Sequence, residues 1–250
     1  MSRPSSEPVA GERTGARAAV DVSTPVRVAG LVPLSTVDWP GHLAAVVFLQ
    51  GCPWRCTYCH NRSLLDPRAP GALGWSEVLG LLDRRRGLLD GVVFSGGEPT
   101  LQPGLSQAVD DVRERGFAVG LHTGGAWPRR LAALLPRLDW VGLDIKHLPD
   151  RYDAVTRARP SGLAAWTSLR AVLESGVDHE VRTTVDPTVH THDDVARLAS
   201  RLRAMGVRRH VLQEARPDGA DAEWARALAG RRLADVVPDG ELPGVARRVA

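Results

Sequence analysis

The sequence predicts an α/β chain in which short buried strands alternate with helices of about three turns on a parallel sheet. Three observations carry this. Six apolar runs of five to seven residues recur along the chain, each followed by a stretch of helical periodicity, most of these closed by a glycine. Every run ends in a polar or glycine-rich cluster, and all three cysteines fall within eight residues at the end of the first. Units of this kind, joined by right-handed crossovers, make either a doubly wound sheet or a barrel, and six in 250 residues suit an incomplete barrel open on one side. Both architectures put function at the C-terminal strand ends.

Taken in order, Val26 to Val32 alternates weakly, and the prolines and glycine of Pro33 to Gly41 read as a loop. Leu43 to Leu49 is almost continuously apolar, as a strand buried on both faces requires. Ser76 is positioned to cap a helix carrying Val78, Leu79, Leu81 and Leu82 that ends near Gly87, and Gly91 to Ser95 is the second strand. Leu105 to Arg115 gathers Ala108, Val109 and Val112 on one helical face before Gly116, and Phe117 to His122 follows as the third strand. Trp127 to Leu135 is helical, and Trp140 to Ile145 is the fourth strand. Ser161 is positioned to cap a helix bearing Leu163, Trp166, Leu169, Val172 and Leu173 that Gly176 closes, ahead of the fifth strand, His179 to Val185. Thr191, with Asp194 in capping-box register, opens a helix that stops at Gly206, and Arg209 to Glu214 is the sixth strand. A last helix spans about Asp221 to Leu228, with room to extend past Gly230 to Leu233.

Hydrophobic content of 43% and charged content of 24% are ordinary for a globular protein, and no apolar run is long enough to span a bilayer. Residues 1–25, rich in Ser, Pro, Ala, Gly and Arg and without an apolar secretory segment, are expected to form a disordered leader, residues 26–235 a single domain, and residues 236–250 a tail. Closely spaced free cysteines fit a reducing compartment, so the expected location is cytoplasmic. Net charge is +3, and the arginine pairs at 129–130, 208–209 and 231–232 lack interleaved aromatics, which argues for solvated helix faces and against a nucleic-acid partner. Among 32 basic residues there is a single lysine, Lys146.

The cysteines form the pattern Cys52-x3-Cys56-x2-Cys59 with no fourth cysteine in the chain. Three thiols make a poor closed zinc site, which takes four ligands, whereas an iron–sulfur cubane held by three leaves one iron free to bind an exogenous ligand. The other strand ends supply Ser95-Gly96-Gly97-Glu98-Pro99, His122-Thr123-Gly124-Gly125, Asp144-Ile145-Lys146, Arg182-Thr183-Thr184 and Gln213-Glu214. Paired glycines let a ligand approach the backbone, and Glu98 offers an acceptor. Strand alternation sends Asp144 and Lys146 to one side, where a lone ammonium suits a ligand carboxylate and an internal ion pair is the plainer alternative. Arg182 and Gln213 are candidates of the same kind.

These residues resemble the radical S-adenosylmethionine superfamily: the cysteine triplet with aromatic Tyr58 before its last member, then Gly96-Gly97-Glu98-Pro99 one unit later. The resemblance implies a partial (βα)6 TIM-like barrel, open on one side. It implies a four-iron, four-sulfur cluster on Cys52, Cys56 and Cys59 that reductively cleaves S-adenosylmethionine to a 5′-deoxyadenosyl radical, with no catalytic residue beyond the cluster. It further implies Tyr58 against adenine, Gly96, Gly97 and Glu98 receiving the methionine ammonium, and cofactor contacts from Thr123, Asp144, Lys146, Arg182 and Gln213. From about Gly30 to Pro217 the chain is most similar to glycyl-radical-enzyme activases, in particular those serving anaerobic ribonucleoside-triphosphate reductase. The marks are Ser35-Thr36-Val37-Asp38-Trp39-Pro40-Gly41, Phe48-Leu49-Gln50-Gly51-Cys52, Tyr58-Cys59-His60-Asn61, Leu143-Asp144-Ile145-Lys146 and Val181-Arg182-Thr183-Thr184-Val185. The implied partners are that reductase, whose glycine would lose a hydrogen, and a flavodoxin- or ferredoxin-type electron donor. The loop Ser35 to Gly41 with His60-Asn61 is the expected guide surface for the partner. One departure is His122, where related chains often carry aspartate ahead of Thr-Asn-Gly. The alternatives are a pyruvate formate-lyase-type activase, a radical enzyme acting on a small molecule or peptide, and a non-catalytic metal-binding module.

Overall fold

The computed structural model describes residues 25–248, so the expected leader lies, but for its last residue, outside the described residues. Eight strands form one sheet in sequential order: β1 (Val28–Ser35), β2 (Ala44–Leu49), β3 (Gly91–Gly96), β4 (Ala118–Thr123), β5 (Trp140–Asp144), β6 (Asp178–Val185), β7 (His210–Glu214) and β8 (Ala246–Arg248). β1 runs antiparallel to β2 and every later pair is parallel. The register steps along the sheet, with Gly120, the third residue of β4, opposite Trp140, the first of β5, and Val181, the fourth of β6, opposite His210, the first of β7. Such stagger tilts the strands and curls the sheet towards a barrel, and it remains unclosed because β1 and β8 do not pair.

The continuous apolar runs are explained by two-sided burial. In β2, Ala45, Val47 and Leu49 face the helical layer while Ala44, Val46 and Phe48 face the barrel interior. Helices α1 (Trp75–Asp83), α2 (Leu105–Glu114), α3 (Pro128–Leu134), α4 (Tyr152–Thr156), α5 (Ser161–Ser175) and α6 (His192–Ala204) add Val78, Leu82, Val109, Leu131, Tyr152, Leu169 and Leu198 to the core on that outer face. Each such buried Val or Leu stabilises the layer by roughly 1.5–3 kcal/mol.

Four local expectations change. Strand β1 continues through Pro33 to Ser35, where a loop is expected; an edge position has no ladder donor to lose, and a register shift between Val32 and Ser35 accommodates the proline. Ser76 and Ser161 sit inside their helices, whose N-caps are Gly74 and Pro160, and the Ser161 hydroxyl bonds Asp153 instead. The last helix stops at Leu228, because Ala229 and Gly230 take positive φ, and a separate turn, α8 (Leu233–Val236), follows α7 (Ala222–Leu228). By contrast, Thr191 and Asp194 form the expected reciprocal capping box.

The loop after β1 turns inward. The Ser35 hydroxyl and Asp38 carboxylate close it, 2.5 Å apart, and Trp39 enters the barrel floor to stack on Trp140 with ring centroids 5.7 Å apart. A Cβ on Gly91 or Gly120 would stand 2.8 or 2.9 Å from the Trp39 ring, so these two strand glycines make its slot. Among the described residues no helix is long and apolar enough to cross a membrane.

Candidate active site

At the C-terminal strand ends a cleft of about 280 Å³ brings together all twelve residues singled out above: the three cysteines, Tyr58, Gly96, Gly97, Glu98, Thr123, Asp144, Lys146, Arg182 and Gln213. Trp54, His60, Asn61, Ser95, His122 and Asp38 complete much of its wall. Parallel strands supply this convergence, since every C-terminal end lies on the same rim.

The cysteine loop is tied down at several points. Gly51 N–H donates to Leu64 O, Arg55 N–H to Thr156 O and Thr57 N–H to Val155 O, so the final turn of α4, an element invisible in the periodicity, is its platform. The Thr57 hydroxyl, between the second and third cysteines, donates to the buried carboxylate of Asp186 at 2.5 Å. Trp224 Nε1–H and the Thr188 amide and hydroxyl saturate that carboxylate. The Asp186 amide in turn meets His190 Nδ1, whose Nε2 lies 2.8 Å from Lys146 O. Thr57, Asp186 and His190 were not legible as site residues, because the partners are far apart in sequence and each residue type is common in loops.

Burial pushes the Cys52 and Cys56 thiols up, to about 12 and about 11. They stand protonated at neutral pH and give up protons when a cationic group takes them. Among the described residues no three His, Cys, Asp or Glu side chains stand close enough to share a single metal ion. A cubane asks for a wider spacing, one thiolate on each of three irons, and the donor set fits it. Tyr58 lines the same cleft and its hydroxyl is buried without a hydrogen-bond partner, which also suits a site shaped to receive a bound group.

Across the cleft, Glu98 does not present the free acceptor expected of it. Its oxygens accept from the Thr100 amide and hydroxyl, the Thr123 hydroxyl at 2.7 Å and the Gly124 amide at 2.9 Å, stapling the ends of β3 and β4. Burial raises its carboxyl above the usual range against those bonds. What the Gly96-Gly97-Glu98 segment offers a ligand is therefore chiefly backbone.

Below lies a charged group. Asp144 receives Lys146 Nζ at 3.2 Å on one oxygen and Arg182 Nε at 3.0 Å on the other. Burial works to raise its carboxyl, but the two cations outweigh burial and hold it at about 2. Burial likewise opposes the Lys146 charge, and Tyr58 and Asp144 outweigh it, keeping the ammonium protonated. The expected ion pair and the expected ligand cation coexist: within this group one carboxylate faces two cations, leaving the group itself one positive charge in excess. His122 brings no charge; burial drives it down to about 3, and it bridges Ser95 Oγ and Asp38 O.

His147 and His210, both buried elsewhere in the fold, are held down to about 4 chiefly by desolvation. The folded chain keeps them neutral while the unfolded chain takes up their protons near pH 6.5. Their contribution to stability is therefore complete above that pH and lost as pH falls towards 4, each costing on the order of 2 kcal/mol by pH 5. The urea midpoint is expected to drop between pH 7 and pH 5, and His210→Asn should flatten the slope; an unaltered slope would refute the assignment.

Residues 46–212 match the radical SAM superfamily. A protein of Methanocaldococcus jannaschii assigned by name to the glycyl-radical enzyme activating enzymes is 30% identical over 80% of this chain and 84% of its own. The pyruvate formate-lyase-activating enzyme of Clostridium pasteurianum is 33% identical over 71% and 76%. Among solved structures, a radical SAM methyltransferase from Sphaerobacter thermophilus superposes with a TM-score of 0.58 at 16% identity over 85% of this chain and 67% of that one. Streptococcus suis SuiB bound to S-adenosylmethionine superposes with a TM-score of 0.57 at 13% identity, over 80% of this chain, which spans only 48% of SuiB. At these identities the structures speak for the fold alone.

Proposed function

Since the chain belongs to the radical S-adenosylmethionine superfamily, with a four-iron, four-sulfur cluster and S-adenosylmethionine as cofactors, we propose that it is an activating enzyme that installs a glycyl radical on a partner protein. The observation that carries this is the gathering of the three thiols and the Asp144–Lys146–Arg182 group in one cleft of an unclosed barrel. The relatives named as activases, similar over most of their length, support it.

In this reading Cys52, Cys56 and Cys59 hold the cluster. When bound, cluster and cofactor supply a one-electron reductive cleavage that leaves a carbon radical able to take a hydrogen from a glycine Cα. The protein's own residues orient and exclude. Tyr58 offers the adenine a ring face, the Gly96-Gly97 backbone receives the methionine ammonium, and the surplus charge of Lys146 and Arg182 receives its carboxylate. Thr123, Glu98 and Gln213 line the cleft, so the reacting carbon is held away from solvent and from every C–H bond except the one the partner presents. The catalytic domain is residues 26–235, to which the segment expected as a tail adds the buried Val236 and Val237 and the edge strand β8, and the enzyme works as an oxidoreductase in the cytoplasm with a flavodoxin- or ferredoxin-type donor.

The favoured partner is anaerobic ribonucleoside-triphosphate reductase, supported by the motif run from Ser35 to Gly41 and around the cysteines. Pyruvate formate-lyase is the second reading, favoured by the Clostridium relative. Reduced, reconstituted protein with S-adenosylmethionine is expected to produce a glycyl-radical resonance on one of the two. Cofactor cleavage with neither resonance would overturn the activase assignment. Lys146→Ala is expected to weaken S-adenosylmethionine binding about tenfold or more while iron content stays constant, since a buried charge-assisted contact is lost. Equal affinity in a calorimetric titration would remove Lys146 from the cofactor site.

A further inference from the structure

A second concavity, of about 760 Å³, lies behind the cysteine loop. Trp54, between the first two cysteines, lines both this groove and the cofactor cleft, so a single aromatic side chain is the wall between them. The indole is fixed: it meets Tyr152 edge-on at 5.8 Å, and a Cβ on Gly124 would come within 2.4 Å of it. The groove is apolar at its mouth, with Trp127 38% and Leu163 70% exposed. Its rim carries Arg129, Arg130 and Arg159.

Of these, Arg159 is paired with Asp153 at 3.4 Å, and among the described residues neither Arg129 nor Arg130 is in an ion pair. Arg130 is instead immobilised by the carbonyls of Thr100 and Leu101, with its guanidinium 5.0 Å from the Trp127 ring centre. A held arginine and a second outside any ion pair, beside two exposed apolar side chains, have the composition of a protein-binding patch for an acidic partner.

We propose that this groove is the docking site of the electron donor, a small acidic one-electron carrier protein, an inference that rests on the function proposed above. In the docked complex the carrier is oxidised by one electron and the cysteine-held cluster is reduced by one, with no proton moving. The location favours a donor over the radical acceptor. An acceptor's glycine must enter the cleft itself, whereas a donor needs only to come near the cysteine loop from outside, and Trp54 bars the groove from the cleft interior.

The test is calorimetric binding of oxidised flavodoxin to the reconstituted enzyme, alongside S-adenosylmethionine cleavage driven by dithionite. Arg129→Glu and, separately, Leu163→Glu, both at exposed positions, are expected to weaken flavodoxin binding about tenfold or more and to flatten its salt dependence. Dithionite-driven cleavage should stay at the wild-type rate. Unchanged flavodoxin affinity in both variants overturns the proposal. So does retained flavodoxin affinity with loss of dithionite-driven glycyl-radical formation, which would assign the groove to the radical acceptor. Absence of dithionite-driven cleavage in the wild type would overturn the functional reading instead, and the affinity comparison would still judge the groove.

Discussion

The Cys56→Ser variant is expected to fold, to lose the visible absorption and iron content of the reconstituted protein, and to cleave S-adenosylmethionine on the order of a thousandfold more slowly or worse. The hydroxyl matches the thiol in size but remains protonated and is a hard donor, whereas iron in a cluster takes thiolate. The loop is held by Thr57, Gly51 and Arg55 through bonds that do not involve the thiols, so the variant's stability should stay near that of the wild type. Iron, acid-labile sulfide and the thermal midpoint are the measurements. Wild-type iron in the variant would remove Cys56 from the cluster, and about one zinc with no iron in the parent protein would favour a metal-binding module.

The second large effect is expected from Gly97→Ala. The new Cβ would lie 2.3 Å from Gly51 O, 2.7 Å from Gly51 C and 3.1 Å from Leu64 O, all of them backbone atoms that no rotamer change can move. The same backbones are hydrogen-bonded to each other, Gly97 N–H to Leu49 O and Glu98 N–H to Gly51 O, so relief of the clash pulls the root of the cysteine loop from the end of β3. A loss of about 3 kcal/mol is expected, with impaired cluster assembly. Gly80→Ala is the internal control. It lies in α1, its Cβ would have only Arg84 Nη1 at 3.6 Å, and it should gain roughly 0.5–1 kcal/mol from helix propensity. A Gly97→Ala midpoint equal to wild type would show that the two turns are not locked together.

Much of the site was legible because it depends on local periodicity. Alternation sends Asp144 and Lys146 the same way wherever a strand forms, and the parallel arrangement then brings the strand ends to one rim. The Thr191–Asp194 capping box was legible for the same reason, both partners being three residues apart. The misreadings have physical causes too. Ser76 and Ser161 have good capping side chains, but which backbone leaves the helical region is set by the packing of the preceding loop, and the Ser161 hydroxyl was claimed by Asp153. Pro33 reads as the start of a loop, which holds only where its missing donor faces a neighbour.

The sequence by itself determined the three-thiol donor set, the parallel strand–helix repeat and the residues at each strand end, since these follow from spacing and from side-chain direction along the chain. Only the tertiary structure decided what those residues are left free to do. Glu98 is consumed by Thr100, Thr123 and Gly124, Trp39 becomes the barrel floor, and Asp186 reaches Thr57 across 129 positions. A buried polar group must find its partners wherever the fold brings them, and those partners are not encoded in its neighbourhood.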